Sequence, residues 1–318
     1  MMKSFNRRSI LRSVLLGSLV MLWVSACTSG PTAQNPEPGA SESGTGDSAP
    51  LVVGSIPDQD PEKVQRQAEK LAAYLESKLG VPVKYQPVTD YAAAVTAFKV
   101  GDLDLVWFGG LTGVQARLQV PGAQAIAQRD IDEQFTSVFI ANTQSGIAPF
   151  TNLKDLNTLK GRTLTFGSES STSGRLMPQY FIQQAGMALS DFKGEVGFSG
   201  NHDATIKLVE AGTYEVGALN SQVWESRVAE GAVDTSKVQV IWTTPPYYDY
   251  HWVISPEVEE RYGQGFIQKV QAAFTELDPA NPDQKEVLDL FGAAKFIPTK
   301  NENYSQIESV GRQIGKIQ

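Results

Sequence analysis

Residues 51–80, LVVGSIPDQDPEKVQRQAEKLAAYLESKLG, hold a strand and a helix in the order that decides the fold class. The apolar run 51–56 predicts a buried strand. Pro61 opens a helix whose apolar residues recur at helical spacing until Gly80 ends it. Further strands are predicted at 83–88, 103–108, 163–166, 196–198, 216–219 and 238–242, with helices between them. This alternation predicts an α/β protein whose sheets are mostly parallel and flanked by helices.

The strand–helix scheme occurs twice along the chain, which predicts two lobes. Residues 51–142 and 247–318 are assigned to the first lobe, and residues 143–246 to the second. Residues 135–142 and 238–247 are expected to form two crossover strands. Three helices, at about 257–277, 283–291 and 303–314, are expected to close the chain.

Composition excludes several classes of protein. The 318 residues are 41% hydrophobic and 19% charged, which is typical of a globular protein. The formal net charge of −8 argues against an electrostatic nucleic-acid binder. One cysteine and two histidines exclude a disulfide framework, a CxxC motif and a histidine-based zinc centre. We therefore expect neither a metal centre nor a cofactor.

The N-terminus has the pattern of an export signal. Residues 1–13 are basic, and the apolar run 14–24 is too short to cross a membrane. The pair Ser25-Ala26 before Cys27 resembles a bacterial lipobox, which predicts a signal peptide at 1–26 and a lipid on Cys27. The alternative is an ordinary signal peptide with a chance cysteine. Arg7-Arg8 fits either a twin-arginine signal or a plain basic segment.

Residues 27–50 are almost entirely small, polar and acidic. Such a segment cannot bury a core, so we expect a flexible tether between the lipid anchor and the globular body. A body held at a membrane in this way suggests binding or delivery outside the cytoplasm.

Residues 166–174, FGSESSTSG, give the strongest signal for a ligand site. They join a predicted strand to a predicted helix, where open backbone amides, hydroxyl donors and the positive end of the helix dipole favour an anion. The candidate residues are Ser170, Ser171, Thr172 and Ser173. The alternative is an ordinary helix cap, although four hydroxyls in a row exceed what a cap needs.

Three other residues follow strands or begin helices. His202, in SGNHDAT, is placed to donate to an oxyanion, or else is a structural histidine oriented by Asp203. Tyr91 lies in a first helical turn and either points its hydroxyl into the cleft or packs on the sheet. Trp107, before Phe108 and two glycines, suits a cleft wall.

These segments together resemble the phosphonate- and phosphite-binding lipoproteins of bacterial ABC importers, a family also described as phosphate–phosphite–phosphonate or selenate binders. The resemblance covers about residues 51–300. It rests on the segments DYAA at 90–93, DLVWFG at 104–109, SSTSG at 170–174, SGNHDA at 199–204 and the loop 245–252.

The resemblance implies a type II periplasmic-binding fold that closes two lobes on a tetrahedral oxyanion. By this match Tyr91, His202, Ser171 and Thr172 contact ligand oxygens, and Asp249 faces the ligand. This sequence departs from the family pattern at two positions, of which the first removes one expected contact and the second favours a small inorganic or methyl-bearing anion over an aminoalkylphosphonate. Leu111-Thr112-Gly113 lacks a tyrosine that many relatives carry, and Asn220-Ser221-Gln222 lacks the acid expected for an aminoalkyl group.

The resemblance therefore implies the extracytoplasmic solute-binding component of an ABC importer, a monomer that passes phosphite or a small phosphonate such as methylphosphonate to a permease and its ATPase. It would lie on the periplasmic side of the membrane, anchored through Cys27. The alternatives are a selenate, sulfate or phosphate binder of the same fold, and a ligand-sensing subunit. A hydrolase using Ser171 or Ser173 with His202 and Asp249 is disfavoured because no G-x-S-x-G elbow is present.

Overall fold

The computed structural model describes residues 49–318, which form an α/β structure with two sheets. Within this range the strands, in chain order, are β1 Leu51–Ser55, β2 Val83–Tyr85, β3 Leu105–Phe108, β4 Gln124–Arg129, β5 Ser137–Asn142, β6 Leu164–Phe166, β7 Gly197–Phe198, β8 Val216–Asn220, β9 Val238–Thr243, β10 His251–Ile254 and β11 Phe296–Pro298. Cys27, the signal peptide and most of the tether lie outside the described residues.

The helices of the same part of the chain cover the sheets. They are α1 Pro61–Leu79, α2 Tyr91–Lys99, α3 Gly110–Gln119, α4 Met177–Gln184, α5 His202–Glu210, α6 Ser221–Ala229, α7 Glu257–Tyr262, α8 Phe266–Thr275, α9 Pro282–Phe291 and α10 Ser305–Ile314. A π-helical turn, Thr172–Leu176, leads directly into α4.

The first sheet has the strand order β11-β4-β10-β3-β1-β2. Strand β1 pairs in parallel with β2 and β3, whereas β10 runs antiparallel to β3 and β4, and β11 antiparallel to β4. The second sheet has the order β7-β6-β8-β5-β9. Its β6 is parallel to β7 and β8, but β5 is antiparallel to β8 and β9.

Both sheets are therefore mixed rather than mostly parallel, which corrects the sequence prediction. The antiparallel pairs of β5 and β10 arise because these two strands each enter a sheet from the other lobe instead of through a strand–helix–strand unit. Strands β4, β10 and β11 were not predicted. The α/β class and the two-lobed arrangement are confirmed.

The chain crosses between the sheets at Phe135 and Tyr247, which form an isolated antiparallel bridge. Because β5 lies wholly in the second sheet, the first crossing precedes Ser137 instead of following Asn142. The predicted limit after residue 142 thus placed β5 in the wrong lobe, since an apolar run does not reveal which sheet it joins. Below, lobe 1 denotes residues 49–135 with 247–318, and lobe 2 denotes residues 136–246.

The predicted helix at 257–277 is two helices in the structure. Gly263 and Gly265 lie between α7 and α8 with φ angles of 97° and 87°. Residues with side chains rarely adopt this region, so the two glycines permit the turn that separates the helices. Helix α10 of lobe 1 contacts α4 of lobe 2.

Candidate functional site

The candidate site lies where segments that follow the strands of the two lobes meet. Lobe 1 contributes Asp58 after β1 and the start of α3 after β3, and lobe 2 contributes the hydroxyl segment after β6 and the start of α5 after β7. The lobes are in contact here, because the backbone N–H of His202 donates to the carbonyl oxygen of Asp58 at 3.0 Å. The structure therefore shows a closed cleft.

The hydroxyl segment forms a helix start whose donors face the cleft. The Ser171 side chain accepts a hydrogen bond from the backbone N–H of Gly174 at 2.9 Å, so its own hydroxyl hydrogen stays available. Ser171, Thr172 and Ser173 are all buried. The first amides of the turn have no acceptor within the helix. This segment is the part of the site richest in donors.

Thr172 connects the hydroxyl segment to lobe 1. Its Oγ1 accepts a hydrogen bond from the backbone N–H of Leu111, in the first turn of α3, at 2.9 Å. Ser173 is fixed through its carbonyl oxygen, which accepts from the Ser137 hydroxyl at 2.7 Å. Thr172 is thus part of the closed interface as well as of the donor cluster.

Ser170 lies apart from this cluster. It is only half-buried and lines a surface pocket of about 550 Å³ together with Leu118 and Lys316. The chain turns between Ser170 and Ser171, so only three of the four predicted hydroxyls are in the interior.

Tyr91 is the first residue of α2, which Asp90 caps by accepting from the N–H of Ala93 at 2.8 Å. Its side chain is buried, and its hydroxyl has no hydrogen-bond partner among residues 49–318. Burial raises the pKa of this phenol well above its usual value, and the nearby Ser171 hydroxyl opposes the rise. Tyr91 therefore offers an uncommitted O–H donor to the site.

His202 is fully buried at the start of α5. Its Nδ1 accepts from the backbone N–H of Asn220 at 3.4 Å, and its Nε2 lies 3.3 Å from the hydroxyl of Tyr250. Burial lowers the pKa of His202 to about 4, so the ring is neutral at pH 7. A neutral ring that accepts at Nδ1 carries its hydrogen on Nε2 and acts there as a donor.

Asp249 accepts a hydrogen bond at the N-terminus of α3. Its Oδ1 accepts from the backbone N–H of Gly110 at 2.8 Å, whereas Oδ2 makes no hydrogen bond within residues 49–318. Burial raises the pKa of this carboxyl to about 7, opposed by the Gly110 amide and by the nearby hydroxyls of Thr172 and Ser173. One carboxyl oxygen is thus fixed, and the other can accept a hydrogen from a ligand.

Trp107 lies behind the site and supports its wall. Its ring stacks on Tyr250 with centroids 5.5 Å apart and packs against Trp252 and Phe291. The guanidinium of Arg129 lies over the Trp107 and Tyr250 rings. Trp107 therefore borders the site through Tyr250.

The family model described as "ABC transporter, phosphonate, periplasmic substrate-binding protein" matches residues 53–304. The chain belongs to this family. Its sequence is 48% identical over 268 residues to the probable ABC transporter phosphite binding protein PhnD1 of Prochlorococcus marinus (strain MIT 9301), which covers 84% of this chain and 90% of that protein. It is 29% identical over 254 residues to the phosphonates-binding periplasmic protein of Escherichia coli (strain K12), covering 77% of this chain and 71% of that protein.

The solved structure of PhnD1 from P. marinus in complex with methylphosphonate matches with a TM-score of 0.83 and 48% identity, covering 84% of this chain and 98% of that one. A binding-protein component of an ABC phosphonate transporter from Pseudomonas aeruginosa shares the fold, with a TM-score of 0.72 at 21% identity over 83% of this chain and 85% of that one. The family and the substrate-binding role expected from the sequence are confirmed.

As a member of this periplasmic family, the chain works with an ABC permease and its ATPase. Over residues 49–318, no helix is long and apolar enough to cross a membrane, and no group of three or more His, Cys, Asp or Glu residues is placed to hold a metal ion.

Within residues 49–318, the structure of this chain brings together most of the predicted site residues but does not assemble a hydrolase triad. Among the described residues, the ring nitrogens of His202 pair with Asn220 and Tyr250 rather than with Ser171 or Ser173. Asp249 pairs with the amide of Gly110 and not with His202.

Three site features were missed in the sequence. Asp58 is buried and its Oδ2 accepts from the Tyr250 hydroxyl at 2.8 Å; burial raises the pKa of its carboxyl, and the Tyr250 hydrogen bond opposes the rise. Tyr250 and the side chain of Asn220 complete this contact. Asp58 could have been recognised in the sequence, because it is a polar residue that follows β1 by three positions.

Proposed function

We propose that this chain captures a small tetrahedral phosphorus oxyanion, phosphite or a small phosphonate such as methylphosphonate, in the cleft between its lobes. One observation carries the proposal. Unpartnered polar groups of opposite kinds, the Tyr91 hydroxyl as a donor and Asp249 Oδ2 as an acceptor, are buried in one closed site beside the available hydroxyl of Ser171. Such groups are costly to bury unless a ligand pairs with them.

Neutral donors account for anion binding by an acidic protein. The hydroxyls of Ser171 and Tyr91 can each donate a hydrogen bond without carrying a charge at pH 7, whereas the Nε2 hydrogen of His202 is directed to Tyr250. Because the cleft is closed to water, such bonds are stronger than on the surface. The geometry of the acceptor oxygens, rather than long-range attraction, then decides which ligand binds.

Asp249 favours a ligand that brings its own proton. Phosphoryl groups have a second pKa of about 6, so phosphite and phosphonates hold a P–OH over part of the neutral range. That hydroxyl can donate to Asp249 Oδ2, which has no other partner in the described structure. Sulfate and selenate carry no proton at neutral pH, and the ionised form of the same carboxyl group would repel them.

Isothermal titration calorimetry with phosphite, methylphosphonate, phosphate, sulfate and selenate tests this proposal. We expect the tightest binding for phosphite or methylphosphonate, and weaker binding of sulfate and selenate by several kcal/mol. Asp249→Asn should weaken binding of the preferred ligand and reduce the difference in binding free energy between that ligand and sulfate or selenate. Tight selenate binding that is unchanged in Asp249→Asn would contradict the phosphorus assignment.

We further propose that the protein is a monomer held to the periplasmic face of the membrane by a lipid on Cys27. The lipobox-like pattern before Cys27 and the polar segment 28–50 support this anchor. In cells, Cys27→Ser should be exported and recovered in the soluble fraction, while wild type sediments with membranes. A Cys27→Ser protein that stays with the membranes would refute the lipid anchor.

We also propose that the protein is not a hydrolase, because the pairing of His202 leaves no serine activated. Incubation with an activated ester should give no burst of product. A stoichiometric burst lost in Ser171→Ala would contradict this.

A further inference from the structure

The hydroxyl of Tyr250 has all of its hydrogen-bonding capacity occupied by protein. It lies 2.8 Å from Asp58 Oδ2, 3.3 Å from His202 Nε2 and 3.3 Å from Asn220 Nδ2. A phenol has one hydrogen to donate and two lone pairs that accept. Three partners therefore saturate it.

The direction of each of these bonds is fixed by a neighbour. Asn220 Oδ1 accepts from the backbone N–H of Val223, so the Asn220 amide presents its NH₂ group to Tyr250. His202 accepts at Nδ1 from the backbone N–H of Asn220, so its hydrogen is on Nε2. Both groups donate to the Tyr250 oxygen. The Tyr250 hydrogen can then go only to Asp58.

Tyr91 provides the contrast within the same site. Both tyrosines are buried, yet the Tyr91 hydroxyl has no partner in the described part of the chain, whereas Tyr250 has three. Tyr250 directly follows Asp249 and contacts His202, so its hydroxyl borders the site. One tyrosine can donate to a ligand, and the other is prevented from doing so.

We propose that Asp58 is a specificity-determining residue: by accepting the hydrogen of the Tyr250 hydroxyl, it leaves that side of the site without a donor for a fourth ligand oxygen. This inference rests on the proposed function. Phosphite and methylphosphonate present three oxygens and one substituent, P–H or P–CH₃, that needs no donor. Phosphate presents a fourth oxygen, which would be buried without a partner. Sites that leave a buried polar group unpaired discriminate strongly against it.

The test compares the affinities of phosphate and methylphosphonate in Asp58→Leu and Asp58→Asn, measured by calorimetry. Leucine is similar in shape to aspartate but accepts no hydrogen bond, so the Tyr250 hydrogen becomes available to a ligand. We expect the preference for methylphosphonate over phosphate to fall about tenfold, the ratio that about 1.4 kcal/mol represents. Asp58→Asn keeps an acceptor, because the saturated Tyr250 oxygen forces the asparagine carbonyl towards it, and should keep the wild-type preference.

The two variants separate the effect of the acceptor from the effect of the charge. Both remove the negative charge of the carboxylate, but only Asp58→Asn keeps a hydrogen-bond acceptor. An equal loss of preference in Asp58→Asn would assign the effect to charge and overturn the inference. So would an unchanged preference in Asp58→Leu.

The wild-type protein gives an independent test that needs no variant to fold. ¹⁵N NMR of the untagged protein reports only His202 and His251. His202 should carry its hydrogen on Nε2. His251 should carry it on Nδ1, which lies 3.0 Å from the carbonyl oxygen of Asp249. A hydrogen on Nδ1 of His202 would release the Tyr250 hydrogen from Asp58 and refute the inference. Failure of wild type to bind any phosphorus oxyanion would instead refute the proposed function.

Discussion

Two of the helix starts at the closed cleft, those of α3 and of the turn at Ser171, differ in what satisfies their backbone amides. The start of α3 is occupied by side chains: Asp249 accepts from the amide of Gly110, and Thr172 accepts from the amide of Leu111. The helix start at Ser171 is capped by its own serine and keeps that hydroxyl available as a donor. Both starts have the same dipole and the same unsatisfied amides.

The difference teaches that a helix start is an anion site only if the rest of the protein leaves its donors open. At α3 the carboxylate of Asp249 takes the place that an anion would occupy. At Ser171 the amide of Gly174 is capped by the serine hydroxyl instead of by a carboxylate. The start of α3, here called the occupied start, positions Asp249 to accept a hydrogen bond from the ligand. The helix start at Ser171, the open start, supplies hydrogen-bond donors.

The largest expected effect concerns Asp249 and the occupied start. Its pKa in the folded protein, about 7, is raised from 3.8 by burial, so its contribution to stability is present at low pH and is lost as pH rises through 7. Unliganded Asp249→Asn lacks this loss. Relative to wild type, it should gain up to about 4 kcal/mol between pH 4 and pH 8 in urea unfolding.

Asp289→Asn is the matched control, because Asp289 is exposed and pairs with Lys285 at 2.6 Å. It should show no comparable gain over the same pH range. If Asp249→Asn exceeds wild type in free energy of unfolding by the same amount at pH 4 and at pH 8, Asp249 is ionised throughout that range. The start of α3 would then hold a full negative charge.

A second prediction concerns Tyr91, which faces the open start. Tyr91→Phe removes a hydroxyl that has no partner within residues 49–318, so the unliganded protein should be as stable as wild type or more stable. Methylphosphonate binding should weaken by about 1.5–3 kcal/mol, the range for a hydrogen bond to a charged group. Tyr74→Phe loses a hydrogen bond to the carbonyl oxygen of Ala273, so it should lower stability and leave methylphosphonate affinity unchanged. Unchanged affinity in Tyr91→Phe would remove Tyr91 from the site.

A third and smaller effect is expected at Thr172, which joins the two starts. Thr172→Val leaves the amide of Leu111 buried without its acceptor, at a cost of about 1–3 kcal/mol in the free energy of unfolding. Thr158→Val, at an exposed threonine, should cost less. If thermal unfolding shows equal losses, the amide of Leu111 has found another acceptor and the start of α3 does not depend on lobe 2.

The sequence predicts those parts of the fold that local chemistry dictates. Helix α1 begins with Pro61 after the cap Asp60 and ends at Gly80 with a φ of 71°, as its pattern indicates. The strand-to-helix hydroxyl segment and His202 were found in the same way. These features depend on residues close together along the chain.

The parts that were missed depend on distant residues. Strand β4 mixes polar and apolar residues, and it is a strand only because β10 and β11 pair with it. Thr172 meets the amide of Leu111 across 61 positions, and Asp58 meets Tyr250 across 192. No local pattern encodes such pairs, so the division of roles between the two tyrosines emerges only in the folded chain.

The hydrogen bond from the His202 amide to the Asp58 carbonyl oxygen also allows the opening of the cleft to be measured by hydrogen exchange. The donor belongs to lobe 2 and the acceptor to lobe 1, so this amide hydrogen can be replaced by solvent deuterium only when the lobes separate. Its exchange rate measures how often the empty cleft opens. Slowing of that rate by a ligand measures how firmly the cleft is then held shut, in a protein that must open again to release its cargo.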